Sequence, residues 1–84
     1  MNEFGLIGDT SWHSTVEYYT YVNQYFNDKH SDNTNPPLRI ISLNQKQIHE
    51  YQKADKWNLI EKTITDSAIQ LQDIGVKGIA LCAN

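Results

Sequence analysis

Three short apolar runs, separated by longer amphipathic stretches, constrain the fold of this chain more than any other feature. The runs cover residues 4–7, 38–43 and 77–82. The first run is continuously apolar rather than alternating, which is typical of a strand covered on both faces of a sheet, and the second is rich in β-branched residues. The intervening stretches have helical patterns, so the expected element order is β-α-β-(α)-α-β. This order predicts an α/β fold with right-handed crossovers.

Local signals predict the first helix and the loop after it. Ser14, followed three residues later by Glu17, is typical of a capping box that opens a helix. Residues 27–37 are polar and end in two prolines, so they are expected to form a loop. One stripe of the helix is expected to face the core (Val16, Tyr19, Val22 and Phe26), and a second is expected to be partly exposed (Tyr18, Tyr21 and Tyr25).

The second crossover is expected to contain two helices. Residues 44–53 predict a short helix, and Asp55 is the expected N-cap of a longer one. Gly75 stands where the C′ residue of the long helix belongs. The long helix has the most regular apolar spacing in the chain, at Trp57, Ile60, Ile64, Ala68, Leu71 and Ile74.

The predicted sheet has three parallel strands in the order 2-1-3 with helices on both faces, like the start of a flavodoxin-like fold. In such sheets, ligands bind beyond the carboxyl ends of the strands, where the strand order reverses. Residues 8–11, 42–44 and 82–84 are expected to converge there.

Composition narrows the class of protein. At 84 residues and 9.7 kDa the chain is one small domain. Its single cysteine excludes an intramolecular disulfide and cysteine-rich zinc sites. A net charge of −3 argues against nucleic acid as the main partner. Neither a membrane-spanning run nor a signal-peptide pattern is present, so we expect a soluble cytoplasmic protein with no membrane partner.

Two features have both a chemical and a purely structural interpretation. A thiol at the end of a strand, such as Cys82, can act as an acid or base, but a free cysteine is also a common small buried hydrophobe. Residues 8–11 either bind a carboxylate or phosphate or simply form a turn that caps a helix. The histidines His13, His30 and His49 lack metal-ligand spacing, so no metal site is expected.

Three separated stretches together match one family pattern. Residues 5–19, GLIGDTSWHSTVEYY, resemble G-L-I-G-G-M-S-W-x-S-T-x-x-Y-Y. Residues 52–57, QKADKW, resemble L-Q-x-x-x-x-W, and residues 74–84, IGVKGIALCAN, resemble A-G-A-D-x-x-x-x-C-T-N. The chain thereby resembles the aspartate/glutamate racemase family, in particular the broad-specificity amino-acid racemases, and the resemblance covers nearly the whole chain.

The resemblance implies a cofactor-independent racemase of two similar α/β domains with the active site between them. A cysteine from each domain faces the α-carbon of the substrate, and one removes the proton while the other returns it. By motif, Cys82 corresponds to the catalytic cysteine of the first domain. Thr10, Ser11 and Asn84 correspond to residues that bind the substrate, an amino acid of the aspartate or glutamate class. Oriented donors at such a site offset the charge that develops while thiols transfer protons.

The chain departs from the family pattern in three places. Asp9 and Thr10 replace the usual Gly-Met, which adds a carboxylate beside a site for an anionic substrate. Residues 35–37, Asn-Pro-Pro, stand where the family commonly has a His-Ser-Ala-like sequence. The resemblance also makes residues 1–84 a partial N-terminal domain that lacks the second domain and its cysteine.

Three functional hypotheses follow. The chain is part of an amino-acid racemase and is inactive as a lone monomer, or it is a non-catalytic remnant that acts through binding, or a homodimer brings two Cys82 thiols together. The third strand lacks the helix that would cover it in the complete fold. We therefore expect self-association, as a homo-oligomer.

Overall fold

A computed structural model describes residues 3–9, 11–32 and 34–82 of the chain. The strands are β1 (Phe4–Gly8), β2 (Leu38–Ser42) and β3 (Ile79–Cys82), and the helices are α1 (Trp12–His30), α2 (Gln45–Lys53) and α3 (Trp57–Asp73). The strands form one parallel sheet in the order β2-β1-β3. This architecture confirms the predicted α/β class and the 2-1-3 order.

The central strand β1 packs against a helix on each face. A Cβ added at Gly8 would overlap the side chain of Thr15 in α1. One added at Gly5, on the opposite face, would lie 2.8 Å from Cδ1 of Leu71 in α3. Thus α1 covers one face of the sheet and α3 the other, as right-handed crossovers to opposite sides of β1 require. The missing side chains at Gly5 and Gly8 let both helices approach closely.

Burial is concentrated on β1, and the outer strands are only partly covered. Leu6 and Ile7 of β1 are buried, whereas Ile79 and Leu81 of β3 are each 44% exposed. In β2, Ile40 is exposed too. The expectation that the first strand is covered on both faces is correct, because α1 and α3 both pack mainly on the central strand.

Helix α1 begins earlier and ends later than the sequence signals predict. Its N-cap is Ser11, whose backbone is extended and whose Oγ accepts a hydrogen bond from the His13 N–H at 3.2 Å. Ser14 is therefore not the cap but a buried residue of the first turn. The helix continues to His30 because Ser31 adopts a left-handed conformation and donates its N–H to the Asn27 carbonyl at 2.7 Å. The loop predicted from residue 27 thus begins after residue 30.

The predicted core stripe of α1 is only half correct. Val22 and Phe26 are partly buried, but Val16 and Tyr19 are exposed. Near the start of α1, Ser14 and Thr15 are buried instead, because α1 lies so close to β1 that only small side chains fit between them. The tyrosine stripe (Tyr18, Tyr21 and Tyr25) is exposed.

Helices α2 and α3 follow the predicted pattern except at the N-terminus of α3. Asp55 is not its N-cap: it has φ = 59°, and its carboxylate accepts a hydrogen bond from Trp57 Nε1 at 2.5 Å. The N-cap is Lys56, which makes no side-chain capping bond. Gly75 adopts φ = 87° just beyond the helix, as a C′ glycine does. Leu71 is buried, whereas the ends of the predicted stripe, Trp57 and Ile74, are exposed.

Among the described residues, no helix combines the length and the apolar character that crossing a membrane requires.

Candidate functional site

Gly8, the last residue of β1, brings the predicted segments together. It is paired with Ser42 of β2 on one side and with Cys82 of β3 on the other. Its carbonyl also accepts a hydrogen bond from the Leu43 N–H at 2.8 Å. The carboxyl ends of all three strands therefore meet at one edge of the sheet, as the sequence predicts. Of the segments 8–11, 42–44 and 82–84 expected there, residues 10, 83 and 84 lie outside the described residues.

The turn that leaves β1 carries one of the predicted substrate-binding residues. Ser11 caps α1, and its Oγ is occupied by the hydrogen bond from His13 N–H. This contact accords with the structural interpretation of the turn, as a helix cap. Asp9, between Gly8 and the cap, is buried at 8% exposure. Thr10 and Asn84, the other two predicted substrate-binding residues, lie outside the described residues.

Cys82 is a free, fully buried thiol at 0% exposure. Burial raises the pKa of the Cys82 thiol, and the nearby negative charge of Asp9 raises it further, because both disfavour a thiolate. The side chain is therefore protonated at neutral pH. In this state the thiol suits donation of a proton better than nucleophilic attack, which requires the thiolate.

Thr15 is a site residue that sequence reasoning missed. It is 8% exposed, and its Oγ1 has no hydrogen-bond partner among the described residues. It lies against Gly8, on the face of β1 that α1 covers. The available signal was the pair Gly8 and Ser14-Thr15, because a glycine at the end of a strand permits close contact with small polar residues of the next helix.

Beside the site, an open groove of about 590 Å³ runs between the first turn of α1 and helix α2. The rings of Trp12 and His13, both exposed, lie in contact with their centroids 3.7 Å apart. Trp12 lines the groove together with Asn44, Gln45, Lys46, His49, Glu50 and Lys53. Within residues 3–9, 11–32 and 34–82, no three histidine, cysteine or acidic side chains come together as a metal ion would require.

No protein-family model matches the chain. A functional assignment therefore depends on the residues at this edge of the sheet and on the sequence resemblance.

Proposed function

We propose that this chain is part of a cofactor-independent amino-acid racemase of the aspartate/glutamate type, in which Cys82 exchanges a proton with the α-carbon of the substrate. The pairing of Gly8 with Cys82 is the observation that carries the proposal. Two of the three stretches behind the resemblance are far apart in the sequence, and this pairing makes them neighbours. It also lies at the edge of the sheet where open α/β folds bind ligands.

The protonated state of Cys82 fits one half of a racemisation. A base on one face of the α-carbon removes the proton and leaves a carbanion. Sγ of Cys82 donates its proton to the opposite face, so the carbanion's electron pair forms the new C–H bond and the sulfur becomes a thiolate. The thiolate then recovers a proton from solvent or from the opposite group. Since the sequence holds one cysteine, the second thiol of the family mechanism comes from outside these 84 residues.

The turn after β1 supplies groups that suit the substrate's α-carboxylate. Backbone N–H groups at the start of a helix such as α1 favour an anion, and hydroxyls beside them add donors. The Asp9 carboxylate lies near Cys82 and is expected to repel the side-chain carboxylate of an acidic substrate. We therefore propose that Asp9 weakens the use of aspartate and glutamate relative to a chain with the family's glycine at this position.

The test is exchange of the substrate α-proton in D₂O, followed by proton NMR with L-aspartate and L-glutamate. The chain alone is not expected to racemise either substrate, because racemisation needs the second thiol. Its one thiolate is expected to exchange the α-proton slowly on a single face, with retention of configuration and at a rate that rises with pH. Cys82→Ala and Cys82→Ser are expected to abolish this exchange, and Asp9→Gly to increase it. Ala80→Ser is the matched control, since residue 80 lies on the same strand and face but away from its carboxyl end. Exchange that persists in Cys82→Ala, or none at any protein concentration, contradicts the proposal.

A second candidate function is binding or self-association without catalysis, and the exposed apolar side chains beside β3 favour it. Ile69 of α3 is 48% exposed, and Ile79 and Leu81 lie open on the same face of the sheet. Ile69 and Ile79 also line an apolar groove of about 400 Å³, together with Ile64, Ala68 and Val76. Contiguous exposed apolar surface commonly marks an interaction site.

Sedimentation velocity over a range of protein concentrations tests this second function. Self-association is expected, and Ile79→Lys should weaken it. The control is Ile40→Lys, because Ile40 is similarly exposed but lies on the other face of the sheet, in β2. A chain that stays monomeric at every concentration contradicts self-association and leaves the exchange experiment unaffected.

A further inference from the structure

The hydroxyl of Thr15 is a buried polar group without an assigned purpose. Thr15 is 8% exposed, and its Oγ1 makes no hydrogen bond to any described residue. A hydroxyl removed from water without a partner is costly, and such groups in folded proteins call for an explanation. Neither helix capping nor core packing supplies one, because Ser11 caps α1 and a valine would fill the same volume.

The position of this hydroxyl is fixed by Gly8. A Cβ added at Gly8 would overlap Oγ1 of Thr15, so the hydroxyl occupies the space of the missing side chain. In the parallel register, Gly8 is paired with Cys82. Paired residues on neighbouring parallel strands point to the same face, and the strands lie about 4.8 Å apart. The Thr15 hydroxyl therefore lies over Gly8 on the face of the sheet toward which Cys82, one strand away, also points.

We propose that Thr15 is a positioning residue for Cys82, and that its hydroxyl donates a hydrogen bond to Sγ whenever the sulfur is a thiolate. This inference deepens the racemase function proposed above and rests on it for its significance. A thiol that gives up its proton in each turnover must be stable for a time as the anion. The Thr15 hydroxyl supplies a donor at that point, and it also fixes the direction in which the sulfur points.

The charges around the thiol show why a donor is needed. Burial and the Asp9 carboxylate both disfavour the thiolate of Cys82. On α1, the nearest charged or titratable side chains in sequence, His13 and Glu17, belong to exposed residues. A hydrogen bond to the charged form lowers the pKa of an acid, so the hydroxyl opposes the other two effects.

The test measures the titration of Cys82 by the S–H stretching band in the Raman spectrum. This band comes from Cys82 alone, because the chain has no other thiol, and it needs no reagent to reach the buried sulfur. Thr15→Val keeps the volume and removes the donor. It is expected to raise the pKa of Cys82 and so to lower the thiolate fraction at a fixed pH about tenfold. Thr15→Ser restores a donor and is expected to keep the wild-type titration.

A shift shared by Thr15→Val and Thr15→Ser, or absent from both, overturns the proposal, since a purely packing role leaves the thiol titration unchanged. If Thr15→Val impairs folding, as judged by circular dichroism, Thr15→Ala carries the same expectation. The readout is independent of any reaction. Loss of the titration shift with α-proton exchange intact refutes the role of Thr15, whereas the shift without exchange refutes the racemase function.

Discussion

Leu71→Ala offers the sharpest test of how the sheet and helix α3 are held together. Leu71 is 1% exposed, and it packs on the bare backbone of Gly5. Truncation leaves a cavity next to Gly5, which has no side chain to occupy it. We therefore expect a loss of about 3 kcal/mol in the free energy of unfolding. A domain of this size has only about 4–12 kcal/mol in total. The melting temperature should therefore fall by roughly 12–24 °C.

The assay is urea denaturation followed by circular dichroism, with Ile69→Ala as the matched control. Ile69 has the same side-chain composition and lies in the same helix, but it is 48% exposed. Its truncation should cost less than about 1 kcal/mol, because little burial is lost and alanine favours the helix. An equal or larger loss for Ile69→Ala refutes the assignment of Leu71 to the core.

A double-mutant cycle extends this test to Gly5. A Cβ at Gly5 would lie 2.8 Å from Cδ1 of Leu71, so Gly5→Ala alone should cost about 1–2 kcal/mol. In the Leu71→Ala background the added methyl group enters the cavity, and the cost should vanish. Additive losses within about 0.5 kcal/mol would contradict the contact between the two residues.

Three further predictions concern local features. Ser11→Ala should cost about 1 kcal/mol in stability by removing the cap of α1, while Ser11→Asp should keep it; an unchanged urea midpoint for Ser11→Ala contradicts this. Gly75→Ala should also cost about 1 kcal/mol, purely through its backbone, since φ is 87° and no atom lies within 4 Å; Gly75→Asn should cost less. The pKa of the Cys82 thiol is higher in the folded protein than in the unfolded chain, where it is about 8.5. The protonated thiol therefore contributes fully to the free energy of unfolding below about pH 8.5, and this contribution is lost as pH rises through the folded-state pKa. Cys82→Ala should remove that alkaline loss, and equal pH profiles for the two proteins would contradict it.

The order of elements was predictable because the strands of a buried parallel sheet appear in the sequence as short apolar runs separated by amphipathic helical stretches. The three apolar runs became β1, β2 and β3, and Gly75 marked the end of α3. The cap of α1 was not predictable from pattern, since Ser11 and Ser14 carry the same chemistry. Only the turn geometry after β1 selects Ser11.

The candidate site was predictable in position but not in detail. Topology alone places Gly8 beside Cys82, because the carboxyl ends of parallel strands share one edge. The buried hydroxyl of Thr15 depends on how closely α1 approaches Gly8, which is a property of packing.

The most direct test of the central claim is the α-proton exchange of L-aspartate in D₂O, compared between the unmodified chain and Cys82→Ala at equal concentration. We predict that the α-proton NMR signal is lost only when the Cys82 thiol is present, at a rate that rises with pH. Equal rates for the two proteins would contradict it.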